Sequence, residues 1–162
     1  MIEGFMLWVE AFILQYGLSG TFIIALLESF IFPIPTAAVI APATSFGLDP
    51  FLVTIVATIG SVLGALVGYF LGLYLGHPVA EKLFKKHIPK VEKWFDKYGA
   101  WAVLIAAFTP IPFKVFTWCG GIFRMDLKKF IIASIIGRFF QFALFAYAGS
   151  LFGPTVLALL GF

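Results

Sequence analysis

The stretch FTPIPFK, residues 108–114, decides the fold of this chain. It lies in an apolar run, 98–123, that carries one charge, Lys114. An apolar run of that length is normally a transmembrane helix. Pro110 and Pro112 exclude a continuous helix, because each lacks an N–H and forces the residue before it out of the α region. We therefore predict a broken element, buried in protein or beside a water-filled cavity.

The charges on both sides of this run predict a re-entrant hairpin. Lysines precede the run, and Arg124, Lys128 and Lys129 follow it. Cytoplasmic segments carry an excess of Lys and Arg, so both flanks should lie inside. Each limb, 98–108 and 113–123, has 11 residues, which reach about 16 Å, roughly to the bilayer midplane. The Pro-Ile-Pro turn is then the tip of the hairpin.

The composition is typical of an integral membrane protein. Hydrophobic residues make up 62% of the chain and charged residues 12%, whereas an ordinary soluble domain is about 25% charged. We expect a single membrane domain, 1–162, in the plasma or inner membrane of the cell. Residues 1–81 contain no Lys or Arg, so the loops of this half should lie outside.

An internal repeat appears when the chain is shifted by 77 positions. Residues 32–77 match 109–154 at ten of 46 ungapped positions, against about four expected from the composition. The stretch FPIPT, 32–36, is the earlier copy of the proline motif. We predict an all-α fold of two inverted repeats, each a re-entrant hairpin followed by a transmembrane helix. The predicted hairpin tips are Pro33, Pro35, Pro110 and Pro112, and the predicted helix caps are Asp49 and Asp126.

The expected order of segments follows from these features. Residues 77–97 carry six lysines on an amphipathic pattern, which predicts a cytoplasmic pair of helices, divided at Pro89, that bind anionic lipid of the inner leaflet. The ends of the chain are left open between spanning the membrane and lying in its interface. The predicted segments are an interfacial helix (1–15), repeat 1 (16–76), the basic linker (77–97), repeat 2 (98–153) and a tail (154–162).

A glycine recurs at every fourth position of the first transmembrane helix, which predicts a ridge for close helix packing. The ridge comprises Gly60, Gly64, Gly68, Gly72 and Gly76. Metal binding is not expected, since His77 and His87 are ten residues apart without cysteines at ligand spacing. We also expect no cofactor and no nucleic-acid partner.

Three ionisable residues are expected at membrane depth. Glu28 precedes the first proline motif, Lys114 follows the second, and Arg138 lies 12 residues beyond Asp126, about 18 Å into its helix. Such residues are functional or pair with one another. In one hypothesis, Lys114 and Arg138 bind the headgroup of a substrate, and Glu28 carries the coupling proton. The other makes them a structural pair, Glu28 with Arg138 or Lys114.

The motifs resemble the DedA family, also called SNARE-associated or VTT-domain proteins, and its short YqaA-like branch in particular. The resemblance covers residues 16–150 and is carried by the proline motifs, the glycine helix, Tyr98-Gly99 and the pattern from Gly121 to Phe130. It implies facing re-entrant hairpins and movement of undecaprenyl phosphate or phospholipid between leaflets. The chain departs from many members at Thr36 and Ala107, where they carry an acid and an arginine.

Three function classes follow. The first, which we favour, is a flippase or scramblase for a phosphate-bearing lipid, with a homo-oligomer as a further option. The second is an ion channel or small-solute transporter that uses the same midplane cavity. The third is a membrane enzyme, which we do not expect, because paired carboxylates and Ser/His/Asp sets are missing from the apolar segments.

Overall fold

The computed structural model describes residues 2–29, 36–84, 88–109 and 112–160, and these residues form helices joined by short turns. The prediction of an all-α fold is thus confirmed for this part of the chain. Two helices contain apolar stretches of 27 residues, Pro50–Gly76 and Leu127–Gly153, long enough to cross a membrane. The helices are α1 (Ile2–Glu28), α2 (Ala37–Ser45), α3 (Pro50–Phe84), α4 (Ile88–Tyr98), α5 (Ala100–Phe108), α6 (Phe113–Ile122) and α7 (Leu127–Leu160).

The helices on either side of the second proline motif end where the sequence predicts. α5 ends at Phe108, and Thr109 is extended with φ −93° and ψ 164°, the conformation favoured before a proline. Pro112 directly precedes α6 and has φ −60° and ψ 92°. The other predicted tip residues, Pro33, Pro35 and Pro110, lie outside the described residues.

The turns that follow α2 and α6, the helices directly after the two proline motifs, have the same backbone conformation. Phe46 and Phe123, which the internal repeat aligns, have nearly identical torsions, φ −84° and ψ 8° against φ −82° and ψ 5°. Both turns are Schellman motifs, in which the N–H groups of the next two residues return to carbonyls of the last helical turn. Gly47 and Arg124 stand at the positive-φ position, with φ 102° and 50°. The repeat therefore extends to the hydrogen bonds of this turn.

The first limbs also correspond, but at a different offset. Gly17 and Gly99 each follow a tyrosine and have φ 49° and ψ −127°, and φ 54° and ψ −126°. Gly17 thus breaks α1 close to the predicted boundary between the N-terminal helix and repeat 1. The shift that aligns the proline motifs does not align these two glycines, because the first limb of repeat 1 is five positions longer. When the limbs are aligned from these glycines, Glu28 corresponds to position 110, just past the end of α5.

Each long helix packs against the second limb of the other repeat: α3 contacts α6, and α7 contacts α2. Gly72 of α3 lies against the carbonyl of Trp118, and Gly149 of α7 lies against the carbonyl of Ala41. The internal repeat relates both members of one contact to those of the other. A side chain at either glycine would overlap the opposing backbone, so the close approach requires glycine at both positions.

The glycine ridge of α3 meets two different neighbours. Gly60 and Gly64 lie against the carbonyls of Phe22 and Leu26 in α1, whereas Gly72 lies against α6. A spacing of four residues advances about 40° around a helix at each step, so the ridge winds from one partner to the next. Gly76 has φ 67° and marks a kink in α3. Its glycine is required by the backbone torsion there.

Two boundaries differ from the sequence-based expectation. The boundary between the two linker helices lies just before Pro89 and not at it: α3 ends at Phe84, α4 begins at Ile88, and Pro89 is the second residue of α4, a position that lacks an intrahelical N–H bond in any case. α7 continues to Leu160, past the predicted end of repeat 2 at residue 153. The sequence left the tail open, and the structure extends the helix through it.

The apolar face of α4 packs on the second repeat. Val91 is buried, Trp94 and Phe95 lie with their ring centroids 6.0 Å from that of Phe116, and Phe95 lies 5.5 Å from Phe123. The linker helix is therefore held against α6, while its lysines remain exposed.

Substitution of Gly72 by leucine is expected to lower the thermal stability of the protein in detergent. The new side chain would meet the Trp118 carbonyl, so α3 and α6 must separate, at a cost of about 1–3 kcal/mol or more. Gly149→Leu should cost a similar amount against Ala41. Gly4→Leu is the control, because a Cβ at Gly4 has no described atom within 4 Å. An unchanged melting temperature for Gly72→Leu would contradict this account of the contact.

Candidate functional site

A cluster of buried and partly buried polar side chains lies where the ends of α1 and α5 and the starts of α2 and α6 meet the middle of α7. Its centre is Arg138, which is 3% exposed. Arg138 is 12 residues, or about 18 Å along the helix, from the N-terminal cap Asp126. We call the residues Glu28, Thr36, Thr109, Arg138 and Gln141 the central polar cluster.

The guanidinium of Arg138 is fixed by neighbours on its own helix and on α6. Its NH1 donates to Oε1 of Gln141 at 2.8 Å. The rings of Phe113 and Phe142 lie 4.2 and 5.3 Å from its central carbon, close enough for cation–π attraction. Gln141 in turn donates through Nε2 to the carbonyl of Thr109 at 3.4 Å. The position of the guanidinium is thus tied to the end of α5.

Glu28 supplies the negative charge of the cluster. Its Oε1 lies 3.6 Å from NH2 of Arg138, and its Oε2 accepts a short hydrogen bond from Oγ1 of Thr36. The end of α1, the start of α2 and the middle of α7 are therefore joined through one carboxylate. Of the two structural pairings left open by the sequence, the structure shows the one between Glu28 and Arg138.

A second group of hydroxyls lies beside the cluster. Ser29 Oγ and Ser61 Oγ are 2.7 Å apart, and Thr117 Oγ1 donates to the carbonyl of Ser29 at 3.2 Å. The internal repeat makes Ser61 the counterpart of Arg138 in the first repeat. The hydroxyl pair and the ion pair thus occupy equivalent depths on the two long helices, and Thr117 links the end of α1 to α6.

Two properties distinguish the cluster from a closed, fully satisfied ion pair. Nε of Arg138 is buried and has no hydrogen-bond acceptor among the described residues, and NH2 has only the Glu28 carboxylate, 3.6 Å away, although buried polar groups are normally satisfied. The two members of the ion pair also differ in exposure: the side chain of Arg138 is 4% exposed and that of Glu28 is 19% exposed. The cluster is therefore approached from the side of Glu28.

The other predicted site residues are placed as follows. Lys114 is half-buried at the start of α6, directly after the phenylalanine that stacks on Arg138, and its carbonyl accepts from Thr117 at 2.8 Å. Asp49 and Asp126 accept the N–H groups of Leu52 and Lys129 through Oδ1 at 2.8 and 2.9 Å. These are the side-chain contacts of helix N-caps.

The sequence reasoning missed Gln141 and the two phenylalanines of the cluster. Gln141 lies three residues after Arg138, a spacing that places two side chains on one helix face. A glutamine beside an intramembrane arginine is itself unusual enough to have been a signal. Phe113 and Phe142 gave no comparable signal, because the chain contains 21 phenylalanines.

These features define a helical membrane protein in which an ion pair joins the end of one helix to the middle of a long apolar helix. The family model of the VTT domain matches residues 32–151. The chain therefore belongs to the VTT-domain, or DedA, family of membrane proteins.

Several relatives are similar over different parts of the chain. An uncharacterized protein of Methanocaldococcus jannaschii is 34% identical over 85% of this chain and 86% of its own length. Undecaprenyl phosphate transporter A of Staphylococcus aureus is 39% identical over 35% of this chain and 28% of its own length. Protein DedA of Escherichia coli is 29% identical over 44% of this chain and 33% of its own length. No solved structure matches the chain.

Proposed function

We propose that this protein is a flippase or scramblase that moves a phosphate-bearing lipid, such as undecaprenyl phosphate or a phospholipid, between membrane leaflets. The observation that carries the proposal is the buried guanidinium of Arg138, whose Nε has no acceptor among the described residues and whose NH2 is 3.6 Å from the carboxylate of Glu28. Arginine is suited to phosphate because its donors match two phosphate oxygens at once. The relatives named as undecaprenyl phosphate transporters support this substrate class and favour transport over catalysis.

The proposed mechanism divides the cluster by charge. Arg138 and Lys114 bind the phosphate. Glu28 carries a proton, and its protonation is coupled to the entry or release of the lipid. When Glu28 is ionised it offsets one positive charge, and when it is protonated it offsets none. Protonation of Glu28 would therefore strengthen the attraction of the site for an anion. Glu28→Gln should accordingly keep lipid binding but remove its dependence on pH.

The proposal also includes the membrane topology. We infer two re-entrant hairpins that enter from opposite faces, followed by α3 and α7 as the crossing helices, so that the repeats are inverted. The equivalent contacts of Gly72 and Gly149 and the equivalent turns after α2 and α6 support an internal two-fold axis. On this topology the linker, 77–97, is cytoplasmic in the plasma or inner membrane, and its exposed lysines bind anionic lipid.

Leaflet exchange in liposomes tests the function. The purified protein is reconstituted with a fluorescent phosphate-bearing lipid, and a matched diacylglycerol of the same chain length serves as the neutral control. We expect exchange of the phosphate-bearing lipid well above that of protein-free vesicles, without ion flux. Ion flux without lipid exchange would instead establish a channel or small-solute transporter.

Cysteine labelling tests the topology. In a Cys119→Ala background, an impermeant reagent should label Asp49→Cys from outside and Lys128→Cys from inside, since the two turns are proposed to lie on opposite faces. Both parent residues are exposed, so the reagent can reach either one. Labelling of both cysteines from the same side would rule out the inverted repeat.

A further inference from the structure

An apolar groove of about 620 Å³ lies between α5 and α7, within the range of about 300–1,000 Å³ usual for ligand pockets. α5 contributes Leu104 and Phe108, and α7 contributes side chains from Ile136 to Tyr147. Those 11 steps along α7 correspond to a length of about 16 Å. The groove lies on the second apolar stretch long enough to cross a membrane, so hydrocarbon is its natural occupant.

The shape of the groove comes from two small residues. At Gly137 the helices are too close for a side chain, because a Cβ there would lie 2.5 Å from that of Ala107 and 2.9 Å from the carbonyl oxygen of Leu104. Farther along α7, Ala143 lines the groove with a single methyl group. The corresponding residue of the first repeat is Leu66, whose larger side chain packs against the core. The second repeat thus leaves open a space that a leucine would occupy.

The groove and the central polar cluster both adjoin the end of α5. Phe108 lines the groove, and the next residue, Thr109, accepts the hydrogen bond from Gln141, which holds Arg138. The outer edge is open, since Phe140 and Leu144 are 59% and 61% exposed. A lipid at the end of α5 could therefore place its phosphate and one chain in the two sites at the same time.

We propose that this groove binds one hydrocarbon chain, isoprenoid or acyl, of the same lipid molecule whose phosphate binds at Arg138. This inference rests on the proposed function and adds a chain-binding site to it. A bound chain would keep the lipid attached to α7 while its headgroup leaves one leaflet. The groove also predicts selectivity for chain shape, because apolar pockets distinguish neighbouring chain lengths by packing.

Photo-crosslinking in liposomes tests the site directly. The probe is a phosphate-bearing lipid with a diazirine near the end of one chain, and labelled residues are identified by mass spectrometry. We expect labelling of Phe140 and Leu144 to exceed that of Ile135, an exposed residue of α7 that does not line the groove. Phosphate-bearing lipid without a diazirine should compete with the probe for the groove, and diacylglycerol with the same chains should not. Equal labelling of Ile135, or equal competition by both lipids, would show ordinary surrounding lipid and overturn the proposal.

A groove-filling variant separates this inference from the transport function. Ala143→Trp should reduce both groove labelling and leaflet exchange about ten-fold, since apolar pockets respond to single methylene groups by about that factor. Ile135→Trp places the same bulk outside the groove and should change neither. Normal exchange by Ala143→Trp together with loss of exchange by Arg138→Met would refute the chain site and leave transport intact. Phosphate-dependent groove labelling in a wild-type protein without leaflet exchange would refute transport and leave the chain site.

Discussion

Replacement of Arg138 by methionine is expected to abolish transport of phosphate-bearing lipid and to destabilise the protein. A hydrogen bond to a charged group contributes about 1.5–3 kcal/mol, so loss of one guanidinium contact slows transport by about 10- to 150-fold, and loss of several by more. The stability effect has a separate origin. Removal of one partner of a buried ion pair leaves the other uncompensated, at a cost of about 3–5 kcal/mol.

The double variant Glu28→Gln with Arg138→Met tells the two roles apart. Both charges are then absent, so no buried ion lacks its partner, and the melting temperature in detergent should return toward that of the wild type. Transport should stay absent, because the phosphate has lost its main donor. Lys128→Met, which removes an exposed cation from the same helix, should leave both properties unchanged. A double variant that is stable and transports at the wild-type rate would show that the pair only holds helices together.

The two helices beside the second proline motif could be predicted almost to the residue, because proline acts locally. Pro110 and Pro112 constrain their own and the preceding torsions whatever surrounds them, and α5 and α6 end and begin beside them as expected. The caps at Asp49 and Asp126 could be read for the same reason, since a cap needs only its own helix. Where a long helix ends was harder to predict from the sequence. Whether α7 passes Pro154 depends on what packs around it, and no pattern along the chain reports that.

The two charged members of the candidate site were predicted, but its other members and its arrangement were predicted only in part. Glu28 and Arg138 were identified because they are ionisable residues in apolar segments. Which cation pairs with Glu28, Arg138 or Lys114, could be seen only in the structure. The greater length of the first limb in repeat 1 was hidden by the single shift that aligns the proline motifs. The repeated Tyr-Gly pairs, at 16–17 and 98–99, would have revealed it. That difference is what carries Glu28 past the end of the equivalent limb and toward α7.

Replacement of Pro110 and Pro112 together by alanine is expected to change the topology of the second half of the protein. The segment 100–122 would then form one continuous helix, about 34 Å long and sufficient to cross a bilayer of about 30 Å. Proline inside a helix costs about 3 kcal/mol relative to alanine, so the double change removes about 6 kcal/mol of opposition to that helix. The start of α7 would be carried across the membrane, and Lys128→Cys should become labelled from outside.

The control for this change is Pro42→Ala, because Pro42 already lies within α2 and its removal should not move any helix end. Transport should be lost in the Pro110/Pro112 variant for a geometric reason. A straight helix would carry Thr109 and Phe113 away from the middle of α7, and Arg138 would lose the stacked ring and the backbone anchor that Gln141 provides. If Lys128→Cys is still labelled only from inside while transport is lost, the prolines shape the polar cluster without setting the topology. Retention of both would remove the broken helix from the mechanism altogether.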